Sequence, residues 1–311
     1  MQLAGRSHRR HLWWAAVVPA AVVFAACFPP PPPPPASPLF TAACEGDLQG
    51  SVPGQVESSA LIETSGAAAS RANTGVLWAH NDSGDTPRVF AMTTSGHHLA
   101  WFQLAGASAV DWEDMAIGPG PQNGQTYLYL ADIGDNNHAR ASVVVYRVPE
   151  PAIDVQHPPA DGQALTNVTA LTLQYPDGPH DAEALAVDPA NGDLVIVTKE
   201  ISGQAGVYVR PTSAATSTLD RKDPIPLGPG TLVTGADASP DGTAVVLRTY
   251  TSVLVFPRAS SSQLDEAFRS GWCAGASAPE QQGEAIAVSP NGRGYVTVSE
   301  GANPPINHFA S

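Results

Sequence analysis

The run Gly283-Glu284-Ala285-Ile286-Ala287-Val288-Ser289-Pro290-Asn291-Gly292 has weaker copies upstream, and their spacing carries the architecture. The clearest are Ala182-Glu183-Ala184-Leu185-Ala186-Val187-Asp188-Pro189, Trp112-Glu113-Asp114-Met115-Ala116-Ile117-Gly118-Pro119 and Thr234-Gly235-Ala236-Asp237-Ala238-Ser239-Pro240-Asp241-Gly242. A fainter copy is Ser65-Gly66-Ala67-Ala68-Ala69-Ser70. Aligned on Ser65, Glu113, Glu183, Thr234 and Glu284, the copies stand 48, 70, 51 and 50 residues apart. A near-constant period of this size marks a repeat fold in which each unit is one supersecondary element.

Outward from each copy the chain reads as strands. Asn291-Gly292 turns the last copy into Tyr295 to Ser299, and Asn191-Gly192 and Asp241-Gly242 do the same before Leu194 to Thr198 and Ala244 to Thr249. Asn-Gly or Asp-Gly between two such runs is a hairpin signal. Third strands follow at Arg88 to Met92, Val143 to Arg147, Gly206 to Arg210 and Val253 to Phe256, and fourth strands at Leu99 to Phe102 and Ala170 to Leu173. Four strands about every 50 residues make a β-propeller blade. The expected fold is all-β, a propeller of five four-stranded blades, with six as the alternative. Residues 149–166, rich in Pro, Asp and Gly without a strand pattern, read as a loop inserted in one blade and account for the long step. One short helix is expected, around Ser262 to Phe268.

A full blade from Glu284 would overrun Ser311 by roughly 23 residues. The unassigned stretch from Thr41 to Thr64 supplies the missing outer strand, expected near Gln55 to Leu61, so strands from both termini close the ring.

Composition narrows the function classes. The 29 acidic against 15 basic residues leave a net charge of −14, which argues against nucleic acid as a partner and favours a cation or a cationic ligand. No nucleophile-elbow serine motif, phosphate-binding loop, dinucleotide fingerprint or zinc-protease helix motif occurs.

The first 40 residues read as an address and a tether. Arg6, Arg9 and Arg10 precede an apolar run from Leu12 to Ala26, too short to span a bilayer. Its end, Val23-Phe24-Ala25-Ala26-Cys27, resembles a bacterial lipobox, with an ordinary signal peptide as the alternative. The resemblance implies cleavage before Cys27 and lipidation of that cysteine. Seven prolines at 29–35 then form an extended polyproline II spacer. The expected organisation is a signal peptide over 1–26, a lipidated tether over 27–40 and one propeller domain over 41–311, held at the cell envelope outside the cytoplasm. With Cys27 as anchor, Cys44 and Cys273 remain in an oxidising compartment, where a disulfide across the ring seam is expected and two buried thiols are the alternative.

The turns Ser239-Pro240-Asp241-Gly242 and Ser289-Pro290-Asn291-Gly292 resemble the repeats of bacterial TolB-type propellers. The Glu-Ala-Ile-Ala and Glu-Ala-Leu-Ala starts are similar to strands of SMP-30/gluconolactonase-like and phytase-like propellers. The resemblance covers roughly residues 55–311 at repeat level and implies the architecture. Five blades are counted here where most of those relatives have six, and no relative's full catalytic set is matched.

In a propeller the first strand of each blade lines the axis. Ser65, Glu113, Glu183, Thr234 and Glu284 are therefore expected at one level, and Glu113, Glu183 and Glu284 are the candidate metal ligands. Converging carboxylates need a cation, and hard oxygen donors suit Ca²⁺ best, with Mg²⁺ or Mn²⁺ possible. The returning strands end on the same face at Asp82, Asp85, Asp132, Asp135, Lys199, Arg248 and Glu300, the candidate ligand-binding groups. Asx-turn chemistry at blade rims is the alternative for the acidic loops, and hydrogen bonding to neighbouring-blade amides is the alternative for the glutamates. The expected function is binding of a small-molecule or protein ligand on the axial face by a lipid-anchored monomer, with calcium in the acidic channel. The alternative is a metal-dependent hydrolase of lactonase or phosphoesterase type, with Glu113, Glu183 or Glu284 as base. Lys199, Arg248 and Arg140 are the few basic groups on offer, a scarcity that favours binding.

Overall fold

Five antiparallel four-stranded sheets follow one another around an axis in the computed structural model, which describes residues 37–213, 217–259 and 262–311. The signal-peptide, Cys27 and polyproline readings lie outside the described residues. Blade 1 runs Thr64–Ala69, Val76–Asn81, Arg88–Thr93, His98–Leu104 from the axis outward, and blade 2 runs Trp112–Pro119, Thr126–Asp132, Val143–Pro149, Thr169–Leu173. Blade 3 is Ala182–Val187, Leu194–Thr198, Val207–Arg210, Asp220–Arg221, and blade 4 is Val233–Ala238, Ala244–Thr249, Val253–Pro257, Cys273–Ala274. Blade 5 is Gly283–Val288, Gly294–Ser299, Pro305–Ala310, and its outer strand, Gln49–Gln55, comes from the start of the domain. Each inner strand packs on the next, and that of blade 5 returns to that of blade 1. Blade number five is thus the observed one.

The inner strands are rich in Ala and Gly because five of them converge on the axis, where larger side chains would collide. Bulk increases outward, and five apolar clusters fill the blade interfaces, built on fully buried rings such as Trp78, Trp112, Tyr208, Phe256 and Tyr295. Each such ring contributes roughly 1.5–3 kcal/mol by leaving water. Polar ties supplement the packing. Arg258 of blade 4 grips Asp188 of blade 3 in a two-pronged pair, Nη1 to Oδ1 at 2.9 Å and Nη2 to Oδ2 at 2.7 Å.

Four local expectations are corrected. The closing strand is Gln49–Gln55, upstream of Gln55 to Leu61. It has no buried residue, even Val52 being exposed, and its pairing is broken between Ser51 and Gly54, around Pro53, so it carries no alternation to read. Val56 and Leu61 instead bury themselves in the interface of blades 5 and 1. An additional helix, Pro38–Glu45, precedes it, with Ser37 capping the Phe40 amide, Pro38 in the first turn and Gly46 in the left-handed conformation at its end. Its apolar face, Leu39, Ala42 and Ala43, joins the core between blades 4 and 5. The insertion in blade 2 holds a short strand, Gln163–Leu165, that pairs in parallel with His98–Leu104 of blade 1. Held by backbone bonds at an exposed edge, it needs no side-chain pattern. The helix expected near Ser262 to Phe268 is a 3-10 helix, Leu264–Arg269.

Cys44 and Cys273 form a disulfide that joins the helix Pro38–Glu45 to the outer strand of blade 4. The bond and the closing strand together bind the N-terminal segment across the seam between blades 4 and 5.

Candidate functional site at the axial mouth

Every inner strand carries a β-bulge at the same place. The register shifts between Thr64 and Gly66, Trp112 and Asp114, Ala182 and Ala184, Val233 and Gly235, and Gly283 and Ala285. The bulged residues are Ser65, Glu113, Glu183, Thr234 and Glu284, so the level inferred from the repeat is a physical one. A bulge leaves its extra residue unpaired and re-aims its side chain. All five are buried. Where the residue is a hydroxyl it ties adjacent blades: Ser65 Oγ donates to the Glu113 carbonyl, and Thr234 Oγ1 donates to the Gly283 carbonyl at 2.8 Å.

The three glutamates meet three different fates. Glu183 accepts a bond from Lys199 Nζ at 2.7 Å, and the ammonium balances its charge. Burial opposes the charge of Lys199, but Glu183 outweighs it and holds the ammonium above the ordinary lysine range. Glu113 is hydrogen-bonded to Glu183; burial, then the charges of Glu183 and Asp82, push it up to about 12, so it keeps its proton. Glu284 accepts the Gln282 amide at 3.1 Å, while its other carboxylate oxygen, Oε2, is buried with no hydrogen-bond partner. Burial, then Glu183, raises Glu284 to about 8.

Two groups of carboxylates bring their oxygens within 4.8 Å of one another: Asp82, Asp111 and Glu113, and Glu113, Asp181 and Glu183. Glu113 belongs to both. Glu284 belongs to neither, so the structure brings together two of the three glutamates expected as metal ligands and adds Asp111 and Asp181. Both aspartates stand two residues before a ring glutamate, and Glu63 and Gln282 hold the same offset from Ser65 and Glu284. A period-two reading back from each repeat start was the signal that would have found them. Burial, then the charges of Asp82 and Asp181, raises Asp111 to about 6. The loop after the second strand of blade 2 crosses directly over this group. A Cβ at Gly134 would lie 2.0 Å from Glu113 Oε1 and 2.6 Å from Asp111 Oδ2, so any larger residue there would displace these carboxylates.

The ends of the second strands divide into two sets. Asp82, Lys199 and Glu300 adjoin the carboxylates; burial, then Asp82, raises Glu300 to about 7. Tyr250, from the equivalent end in blade 4, lies beside Lys199, whose Nζ is 5.1 Å from its ring centre. The other members serve their own loops. Asp85 pairs with Arg88 at 2.8 Å and accepts the Asn81 amide. Asp132 pairs with Arg140 at 2.8 Å and accepts the amides of Val110 and Asp111. Asp135 accepts the amides of Ala139 and Arg140. Arg248 is fully buried behind the mouth, where its Nη2 meets Glu280 Oε2 at 2.5 Å.

Deeper on the axis, Asp114 accepts amides from its own strand, from Leu185 in blade 3 at 2.8 Å and from Ala236 in blade 4 at 2.9 Å. Asp237 likewise accepts Ala238 and, from blade 5, Val288 at 2.8 Å. These buried aspartates staple blades to one another across and around the axis, the backbone-bonding role that was the alternative for the glutamates.

No family model and no curated protein matches the chain. Among solved structures, a gluconolactonase from Xanthomonas campestris is similar over 90% of this chain and 95% of its own, with 13% identity and a TM-score of 0.49. The WD40 repeats of RRP9 are similar over 79% of each chain, with 15% identity and a TM-score of 0.39. Raptor from Chaetomium thermophilum is similar over 81% of this chain and 20% of its own, with 10% identity and a TM-score of 0.38. Likenesses this distant concern the propeller architecture and say nothing of a ligand or a reaction.

Proposed function

We propose that this chain is an extracytoplasmic, lipid-anchored propeller whose axial mouth holds a divalent cation, Ca²⁺ by its donor set, and through it an oxygen-bearing ligand. The observation that carries the reading is the convergence of Asp82, Asp111 and Glu113 within 4.8 Å at a half-exposed opening. Three carboxylate donors fall short of the six to eight oxygens Ca²⁺ takes, which leaves positions for water or ligand. Glu113 would give up its proton on metal binding, as ligands must, with Lys199 compensating Glu183 beside it. Attachment through Cys27 and a monomeric state belong to the same reading. The disulfide supports an oxidising compartment, and no helix among the described residues is long and apolar enough to cross a membrane.

A hydrolytic reading rests on Glu284. Its Oε2 has no hydrogen-bond partner and burial raises its carboxyl to about 8, which makes the ionised form a strong proton acceptor, as a general base requires. Calorimetry of chelator-stripped protein separates the readings. Ca²⁺ is expected to bind at a single site and to lose most of its affinity in Asp82→Asn and Asp111→Asn; an unchanged isotherm in both variants refutes the cation site. Turnover of a lactone or phosphomonoester that requires Ca²⁺ and is lost in Glu284→Gln would replace binding with catalysis.

A further inference from the structure

Away from the axis, a cavity of about 520 Å³ opens between the outer ends of blades 3 and 4. Its inner wall is anchored in the core: the rings of Phe256 and Phe268 meet edge to face with centres 5.2 Å apart, and both belong to the apolar cluster between these blades. The outer wall includes Trp272, which is 45% exposed although Trp78 and Trp112 are fully buried. Trp272 immediately precedes Cys273, so the disulfide to Cys44 holds its backbone in place. An exposed indole on a covalently fixed segment is a preformed aromatic wall.

Charged side chains interrupt the apolar lining, and one of them is buried. Asp265, in the first turn of the 3-10 helix, lines the cavity and is only 5% exposed, and its Oδ1 is buried with no hydrogen-bond partner. A buried carboxylate oxygen without a donor is costly. Lys222 and Arg269 also line the cavity, and Arg269 is engaged by Asp223 at 3.3 Å on the exposed rim. Burial, against the pull of Lys222, raises the Asp265 carboxyl above the usual range. A ligand that brings its own positive charge to Asp265 reverses that cost.

We propose that this cavity is a second ligand site, for a small primary amine with an aromatic body: the ammonium meets Asp265 and the ring lies between Phe268 and Trp272. The volume is in the range of small-molecule sites, and a ligand ring packed against the phenyl and indole rings adds a further attraction. None of the axial carboxylates takes part, so the site stands or falls independently of the cation reading.

The test is calorimetry or saturation-transfer NMR with two probes that share a phenylethyl body and carry opposite charge, 2-phenylethylamine and 3-phenylpropionate. The amine is expected to bind at least about tenfold more tightly, the worth of one charge-assisted hydrogen bond. Asp265→Asn should abolish that preference, and Trp272→Ala, at a position 45% exposed, should weaken the amine severalfold. Equal binding of the two probes, no binding of the amine at millimolar concentration, or an undiminished preference in Asp265→Asn overturns the proposal. If Asp265→Asn fails to fold, probe discrimination and Trp272→Ala decide the matter alone.

Discussion

Breaking the Cys44–Cys273 bond tests how the ring is held closed. The two cysteines are 229 residues apart in sequence, so the bond closes most of the propeller into one covalent loop. In the chain-entropy account a loop of that length restricts the unfolded chain by about 5 kcal/mol at 25 °C. The native state needs the bond much less, because Gln49–Gln55 remains paired with Pro305–Ala310 and Leu39, Ala42 and Ala43 remain buried without it. Cys44 is exposed, so replacing it removes little packing. Cys44→Ser, Cys273→Ser and the double variant should therefore each lose about 3–5 kcal/mol, a large part of the 5–15 kcal/mol typical of a domain. Urea unfolding followed by tryptophan fluorescence and far-ultraviolet dichroism reads the loss. The three variants should agree, since either serine breaks the same bond. A double variant within about 1 kcal/mol of the parent, or single losses that add, would refute the chain-entropy argument.

Asp114→Ala leaves the amides of Leu185 and Ala236 without their acceptor, two inter-blade donors at about 1–3 kcal/mol each. Asp237→Ala orphans only Val288 across blades, so its midpoint in urea should fall by clearly less; the reverse order contradicts the stapling role. Arg258→Met strands the buried Asp188 carboxylate and should cost about 3–5 kcal/mol in the same assay, with Arg258→Lys recovering part of it. The pH dependence follows from the raised carboxyls: Asp111 and Asp237 at about 6, Glu300 at about 7 and Glu284 at about 8. The folded chain keeps these protons to a higher pH than the unfolded chain, which releases them near about 4. The stability these carboxyls contribute is therefore full below about 4 and is lost as pH rises to about 8, the window between unfolded and folded values, with buried His80, held below the ordinary histidine range, opposing them on the acid side. Differential scanning in chelator should show the melting temperature dropping across that window, and Ca²⁺ should flatten the drop. An identical slope with and without Ca²⁺ counts against a cation at the mouth.

Much of the fold was legible because its signals are local. The Glu-Ala-Ile-Ala and Pro-Asn-Gly strings specify an inner strand and its turn wherever they occur, and their interval counts the blades. The closing strand Gln49–Gln55 escaped because it is an edge strand with no buried face, and the helix Pro38–Glu45 because its Ser-Pro start fell in the proline-rich tether and its Gly end in the stretch expected to supply the closing strand. In the site, the repeat alignment located the bulge positions but not which carboxylates would meet.

The sequence alone determined the repeat, the ring level of Glu113, Glu183 and Glu284 and the acidic character of one face, and it favoured the pairing of Cys44 with Cys273 that the structure shows. These depend on backbone periodicity, turn chemistry and counting, all of which act over a few residues or over the whole chain. Tertiary structure decided the rest: that Glu113 joins Asp82 and Asp111 while Glu284 stands apart, that Lys199 neutralises Glu183, that Arg248 turns inward to Glu280, and that Asp114 reaches amides 71 and 122 residues away. Those choices turn on the bulge in each inner strand and the rotation from one blade to the next, which bring side chains within bonding distance only after the ring has closed.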